Sequence, residues 1–132
     1  MTWEHFEIRD FGKCKIKHLE TGTLHEAHYD MGFITTGKSH VFWGYQLMIT
    51  SELGIFTGRS KGYAETYSLA LRDCNTQLAA AGLQLLVAGN SRGYNESAMS
   101  AGSGYGYLPG KKQGVSIMSY WQDELASPVK EP

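Results

Sequence analysis

The chain has 132 residues, of which 42% are hydrophobic and 19% are charged, with a formal net charge of −1 and a pI near 6.5. This length suits one domain with one core, and the near-neutral charge disfavours broad electrostatic binding to nucleic acid or an anionic membrane. No apolar run is long enough to span a bilayer and no secretory signal is recognisable, so we expect a cytoplasmic protein.

The first half of the chain is predicted to form an antiparallel meander. Alternating polar and apolar residues predict strands over about 3–9, 13–20, 26–35, 40–51 and, shorter, 54–57. Glycines separate these segments and the connections are short, which favours hairpins over parallel crossovers. The glycines predicted to lie in turns are Gly12, Gly22, Gly37, Gly58 and Gly62.

Residues 32–39 match the G-x-x-x-x-G-K-[ST] pattern of a phosphate-binding loop. Such a loop leads from a buried parallel strand into a helix whose N-terminus faces the phosphate. Here the residues after Ser39 alternate in a β-rich pattern, and those before Gly32 are not a continuous apolar run. We interpret the segment as a hairpin in which Gly37 has a positive φ and Lys38 is exposed, with nucleotide binding as the less favoured alternative.

The clearest element is an amphipathic helix over about 62–81. Apolar residues recur there every three or four positions, and Gly82 is well placed to end the helix in a left-handed conformation. The apolar stripe consists of Tyr63, Tyr67, Leu71, Cys74, Leu78 and Ala81.

The second half of the chain completes the predicted sheet. The apolar run 83–88 predicts a central strand, 115–121 predicts the last strand, and 122–132 is expected to be a frayed tail. The predicted fold class is therefore α+β, a single domain with a mostly antiparallel sheet of about five to seven strands packed against one helix.

Cysteine and histidine spacing indicates no metal site. Cys14 and Cys74 are too few and too far apart for a zinc framework, and we expect both to be buried, reduced thiols. His25 and His28 are three residues apart in a predicted strand, so their side chains point to opposite faces.

Catalytic and cofactor patterns are also weak. Three serines of the glycine-rich segment after residue 88 are nucleophiles in principle, but none has a nucleophile-elbow sequence: Ser97, Ser100 and Ser103. We therefore expect no catalytic residue and no cofactor. A small-molecule-binding or hydrolytic domain, with a site between helix and sheet, remains the alternative.

The segment between Ala88 and Lys111 carries the strongest functional signal, because it has over twenty residues without helical or strand periodicity. Its tyrosines combine apolar area with a hydroxyl, and its Gly, Ser and Asn residues allow close approach, a composition typical of binding surfaces. The alternative is a self-packed loop whose tyrosines cover the sheet edge. The candidate partner-binding residues are Tyr94, Asn95, Glu96, Tyr105, Tyr107, Asp123 and Glu124.

A glycine and tyrosine pattern extends from the predicted helix into this segment. It runs from Tyr63 through Gly82-Leu-Gln-Leu-Leu-Val-Ala-Gly to Tyr94-Asn-Glu-Ser-Ala-Met-Ser and Ser103-Gly-Tyr-Gly-Tyr. This stretch, about a third of the chain, resembles small immunity proteins of bacterial toxin systems, with contact-dependent growth inhibition the nearest.

The resemblance implies a cytoplasmic protein that binds one cognate toxin domain, often a nuclease, and blocks its active site or substrate surface. It assigns no individual residue a role. If the toxin is a nuclease with a basic groove, acidic residues near the contact loop would mimic phosphate, with Glu96 the best placed and Asp123 and Glu124 behind it. No direct contact with nucleic acid or membrane is expected.

Overall fold

A five-stranded antiparallel sheet and a helix form the main part of the protein. The computed structural model describes residues 3–61, 67–96, 104–108, 114–122 and 125. The strand order is β4-β3-β2-β1-β5, which confirms the predicted α+β class. The main elements are β1 (Glu4–His18), β2 (Leu24–Thr36), β3 (Val41–Ser51), β4 (Gly54–Lys61), α1 (Tyr67–Ala80) and β5 (Leu83–Leu85).

A second, smaller sheet is built from the segment that follows β5. After a short 3₁₀ helix, Ala88–Asn90, come β6 (Asn95–Glu96), β7 (Tyr105–Tyr107) and β8 (Val115–Ser116), with β7 in the middle of the sheet. Within the described residues, no helix is long and apolar enough to cross a membrane.

The hydrophobic core lies between one face of the main sheet and α1. The pleat directs alternate residues of β1, β2 and β3 inward, and the buried face of α1 covers them. The core includes Ile16, Ala27, Met31, Leu47, Ile49, Leu71, Leu78 and the two cysteines. The prediction for Cys14 and Cys74 is confirmed, since both are free, buried thiols, and burial raises the pKa of each to about 12.

The predicted interruption of the first strand at Gly12 is wrong. Residues 4–18 form one continuous strand, with a register shift between Ile8 and Asp10. Gly12 pairs with Tyr29 on the neighbouring strand β2, and a Cβ at position 12 would lie 3.0 Å from Cε2 of the Tyr29 ring. The glycine therefore makes room for a ring rather than forming a turn.

The predicted turn at Gly58 is also wrong, because β4 continues to Lys61. A Cβ at position 58 would lie 2.0 Å from the carbonyl oxygen of Ala70 and 2.7 Å from the backbone nitrogen of Cys74. Gly58 therefore allows the backbone of α1 to approach the sheet.

The prediction of a hairpin over residues 32–39 is confirmed. β2 and β3 pair as antiparallel neighbours, Gly37 has a φ of 74°, and Lys38 is exposed. The chain thus runs from strand to strand here, without the helix that would present its N-terminus to a phosphate.

The helix matches its prediction in part. The stripe residues Tyr67, Leu71, Cys74 and Leu78 are buried, and Gly82 has the expected positive φ of 74°. Ala81 is exposed beyond the helix end, so its place in the stripe is wrong. Tyr63 and the predicted turn at Gly62 lie outside the described residues.

The last predicted strands are shorter than expected. The run 83–88 is predicted to lie at the centre of the sheet, but β5 lies at the end of the sheet and pairs with β1 through three residues. The strand over 115–121 shortens to Val115–Ser116, and backbone hydrogen bonds then join residues 117–121 to residues 86–89. Of the expected tail, the structure describes Gln122 and Leu125.

Candidate functional site

The small sheet contains most of the predicted binding residues. Asn95 pairs with Tyr107, Glu96 with Gly106, and Tyr105 with Ser116. The prediction that this segment lacks strands is therefore wrong. Its strands are two or three residues long, too short for alternation to be detected in the sequence.

Tyr105 and Tyr107 form the exposed surface of this sheet, which we call the tyrosine face. They are two residues apart on β7 and so point to the same side. Their exposed fractions are 49% and 45%, whereas Gly106 between them is buried. Two large aromatic side chains are thus presented together to solvent.

Tyr94 has a different position from the other two tyrosines. Its ring is half-buried against the core, and its hydroxyl donates a 2.9 Å hydrogen bond to the backbone oxygen of Val115 in β8. This bond connects the start of the small sheet to its last strand. Tyr94 is therefore placed to support the tyrosine face.

The remaining predicted residues are described to different extents. Asn95 is exposed beside Tyr107, and Glu96 is described through its backbone pairing with Gly106. Asp123 and Glu124 lie outside the described residues, so the predicted acidic cluster stays a prediction.

Gly104 fixes the start of β7 against the main sheet. It has a φ of 78°, and a Cβ there would lie 2.6 Å from Cε of Met31 on β2. Its carbonyl oxygen accepts a 2.7 Å hydrogen bond from the backbone nitrogen of Ile117. Since Leu108, just after β7, is also buried, both ends of the tyrosine strand are attached to the core.

A pair of asparagines holds the chain that leads into the small sheet. The Asn75 side chain on α1 donates to Oδ1 of Asn90 at 2.6 Å, and Asn90 donates back to Oδ1 of Asn75 at 3.2 Å. Asn90 also donates to the backbone oxygen of Leu85 at 2.9 Å. Sequence reasoning missed this pair, although an asparagine inside a helix is a signal, because its side chain usually favours caps and turns.

Gly89 lies beside this asparagine pair and allows close packing. A Cβ at position 89 would lie 2.3 Å from Cγ1 of Ile117 and 2.6 Å from Cδ2 of Leu71 on α1. The segment before the small sheet is therefore enclosed between α1 and residue 117. This close packing holds in place the segment that leads into the small sheet and its tyrosine face.

Metal-binding geometry does not occur in the part of the chain that the structure describes, where no three His, Cys, Asp or Glu residues lie close enough to hold an ion. Half-buried His25 lies near Glu52, with Nδ1 3.3 Å from Oε1, whereas His28 is exposed. The two histidines lie on opposite faces of β2, as their spacing predicts.

No protein-family model matches the chain, and no curated protein matches it. The function is therefore inferred from the chemistry of the residues. Exposed tyrosines on a fixed strand bury apolar area on contact with a partner while their hydroxyls form hydrogen bonds, at a low entropic cost.

Proposed function

We propose that the protein is an immunity protein, which binds a cognate bacterial toxin domain and neutralises it by covering the active site or the substrate surface of the toxin. The observation that carries this proposal is the tyrosine face, in which Tyr105 and Tyr107 are both about half exposed and lie on the same side of one strand. Tyrosine is enriched in protein–protein interfaces and among the residues that dominate their affinity.

The attachment of the small sheet supports this proposal. Gly104 packs closely against Met31 on β2, and the Tyr94 hydroxyl connects the start of the small sheet to β8 through a hydrogen bond. A surface that is already ordered loses less conformational entropy on binding, so more of the contact energy appears as affinity. An inhibitor that must stay bound to its toxin benefits from this preorganisation.

In this mechanism the protein acts by occlusion and performs no chemical step. The tyrosine face docks on the toxin, with the exposed Asn95 at its border contributing polar contacts. If the toxin is a nuclease, its active site faces a basic groove, and the carboxylates of Glu96, Asp123 and Glu124 take the place of substrate phosphates. Charge pairing of this kind also raises the rate of association.

The alternative, a small-molecule-binding or hydrolytic domain, requires a polar cavity between α1 and the main sheet. Backbone contact between Gly58 and α1 leaves little space there, and the interface beside it contains Leu47, Leu71 and Cys74. These contacts favour a filled core, which suits a binding protein better. Nucleotide binding at residues 32–39 would be revealed by thermal stabilisation that grows with ATP or GTP concentration.

Growth protection in bacteria tests the proposed function. A candidate toxin domain, taken from a neighbouring open reading frame, is expressed from an inducible promoter together with the protein or with an empty vector. We expect survival only with the protein, and equal survival with Lys38→Ala, which changes the exposed residue of the phosphate-loop-like motif. Equal killing with the wild-type protein and the empty vector would refute the proposal.

A further inference from the structure

The two long edges of the main sheet differ in whether other groups of the protein bond to their backbone. At the β4 edge, the side chains of Asp73 and Gln77 on α1 hydrogen-bond to backbone groups of Thr57 and Arg59. An exposed strand edge is a template for pairing with another chain, and covering it with a helix prevents that. The β4 edge is therefore closed to a new strand.

Among the described residues, none covers the β1 edge in this way along most of its length. β1 pairs with β2 from Glu4 to Lys17, but on its other side β5 pairs only with Ile16, Lys17 and His18. In the described part of the chain, no other strand pairs with this side. We call the backbone of residues 6–13 on this side the β1 free edge.

Two hydrogen bonds show which residues of β1 present backbone groups at this edge. The oxygen of Lys15 accepts from Leu86, next to β5, whereas the oxygen of Trp3 accepts from Gly37, on the β2 side. The side to which the backbone N–H and C=O groups point alternates from one residue of a strand to the next, and the bulge shifts this alternation by one residue. Four residues therefore direct their N–H and C=O groups outward at the free edge. They are Phe6, Ile8, Phe11 and Lys13.

The β1 free edge also carries exposed apolar side chains on its outer face. Ile8 is 48% exposed and Phe11 is 74% exposed, both on the outer face of the sheet. A long edge with exposed hydrophobic side chains is a site where another strand pairs.

We propose that a second copy of this chain pairs antiparallel with the β1 free edge, so that the two five-stranded sheets join across a two-fold axis. The axis passes between Arg9 and Asp10 of each copy. Ile8 then lies opposite Phe11 of the second copy, and Phe6 lies opposite Lys13, with each pairing occurring twice by symmetry.

The bulge in β1 favours this register over its neighbours. The bulge falls between Ile8 and Asp10, so the axis brings the two bulges opposite each other. Both strands then have the same number of residues between Ile8 and Phe11. All outer-face side chains then meet outer-face side chains. A shift by one residue would place outer-face residues of one copy opposite inner-face residues of the other.

The charges of β1 also fit an antiparallel copy of itself. Residues 4–10 contain Glu4, Glu7, Asp10 and Arg9, a net charge of −2, whereas residues 11–17 contain three lysines, a net charge of +3. Antiparallel pairing places the acidic half of one strand against the basic half of the other, with Arg9 opposite Asp10. Parallel pairing in register would place like charges opposite each other.

Sedimentation of the full chain, from low to high micromolar concentration, tests the dimer. Three variants are compared with the wild type: Ile8→Lys/Phe11→Lys, Ile8→Asp/Phe11→Lys and the control Ile55→Lys. The first places lysine opposite lysine in the proposed register, and the second places aspartate opposite lysine. Ile55 is equally apolar and 66% exposed, but it lies on β4 away from the proposed contact.

We expect a wild-type dimer whose dissociation constant rises at least about tenfold in the lysine–lysine variant. The aspartate–lysine variant should dissociate less than the lysine–lysine variant, and Ile55→Lys should behave as the wild type. A wild-type monomer at every concentration would overturn the proposal. A dimer that all variants leave unchanged would also overturn it.

Disulfide formation between two differently tagged copies tests the register directly. A mixture of Ile8→Cys and Phe11→Cys proteins should form the mixed disulfide on mild oxidation, because directly opposite residues are close enough to be bridged. Each variant alone should form a disulfide between its own copies poorly. Equal cross-linking in all three samples would exclude this register. The dimer is measured by sedimentation and the protection by bacterial survival, so loss of the dimer and loss of growth protection are separate outcomes.

Discussion

The side-chain amide of Gln77 pairs with the backbone of Thr57 as a neighbouring strand would. Its Nε2 donates to the Thr57 oxygen at 2.6 Å, and its Oε1 accepts from the Thr57 nitrogen at 3.3 Å. One helical turn earlier, Asp73 accepts from the Arg59 nitrogen at 3.1 Å. Residues four apart on a helix and two apart on a strand are both separated by about 6 to 7 Å, so the side chains of α1 match the strand edge.

Replacing Gln77 with alanine should destabilise the protein, because both backbone groups of Thr57 lose their partner. We expect the free energy of unfolding to fall by about 1–2 kcal/mol, as measured by urea denaturation. Thr76→Ala is the matched control, since Thr76 is exposed on the same helix, and its stability should change by less than about 0.5 kcal/mol. Equal stability of the two variants would contradict this account of the β4 edge.

Gly58→Ala should be among the most damaging small substitutions in the chain. The added Cβ would lie 2.0 Å from the Ala70 oxygen, so α1 must move away from the sheet. Overpacking of this kind costs about 3 kcal/mol, to be measured by urea denaturation. Gly22→Ala is the control, because no atom lies within 4 Å of a Cβ there and its cost is the backbone strain alone, about 1 kcal/mol. A Gly58 variant as stable as the Gly22 variant would show that the helix contact is looser than described.

The two cysteines should be almost unreactive in the folded protein. Burial raises the pKa of Cys14 and of Cys74 from 9.0 to about 12, so at pH 8 the thiolate fraction is about a thousandfold lower than in the unfolded chain. Labelling with a chromogenic disulfide reagent should modify both thiols rapidly in urea and only very slowly in buffer. Rapid labelling of either thiol in buffer would contradict its burial.

The carboxyl group of Glu4 should titrate below its usual range. Arg59 donates to both of its oxygens, at 3.1 and 2.8 Å, and these hydrogen bonds, with the guanidinium charge, lower the pKa of Glu4 from 4.5. The stabilising contribution of this pair is therefore present above that value and is lost as pH falls through the folded-state pKa. NMR titration should show the pKa of Glu4 rising in Arg59→Gln. In the control Lys61→Gln it should stay unchanged, and an unchanged value in both variants would contradict the pairing.

Local patterns in the sequence predict much of the main fold. The helical stripe through Leu71, Cys74 and Leu78 and the positive φ of Gly82 both follow from residues that are close in the chain. Gly12 and Gly58 do not, because each glycine is required by a partner distant in sequence, the Tyr29 ring and the backbone of α1 respectively. A glycine in the sequence does not distinguish a turn from a close contact.

The candidate site was predictable in composition but not in arrangement. Tyr105 and Tyr107 stand out as large side chains within a glycine-rich segment, which is a local feature. The partial burial of Tyr94 and its bond to Val115 depend on strands too short to show periodicity. The Asn75–Asn90 pair also joins positions fifteen residues apart, which no local pattern connects.

Calorimetric titration of the toxin domain against which the protein protects, using the purified protein, tests the role of the tyrosine face most directly. Hot-spot residues contribute about 2 kcal/mol each, so Tyr105→Ala/Tyr107→Ala should raise the dissociation constant about a thousandfold while the fold stays intact. The control Val41→Ala/Ile55→Ala removes two exposed apolar side chains from the main sheet and should bind as the wild type does. A tyrosine double variant that binds with the wild-type dissociation constant would contradict the assignment.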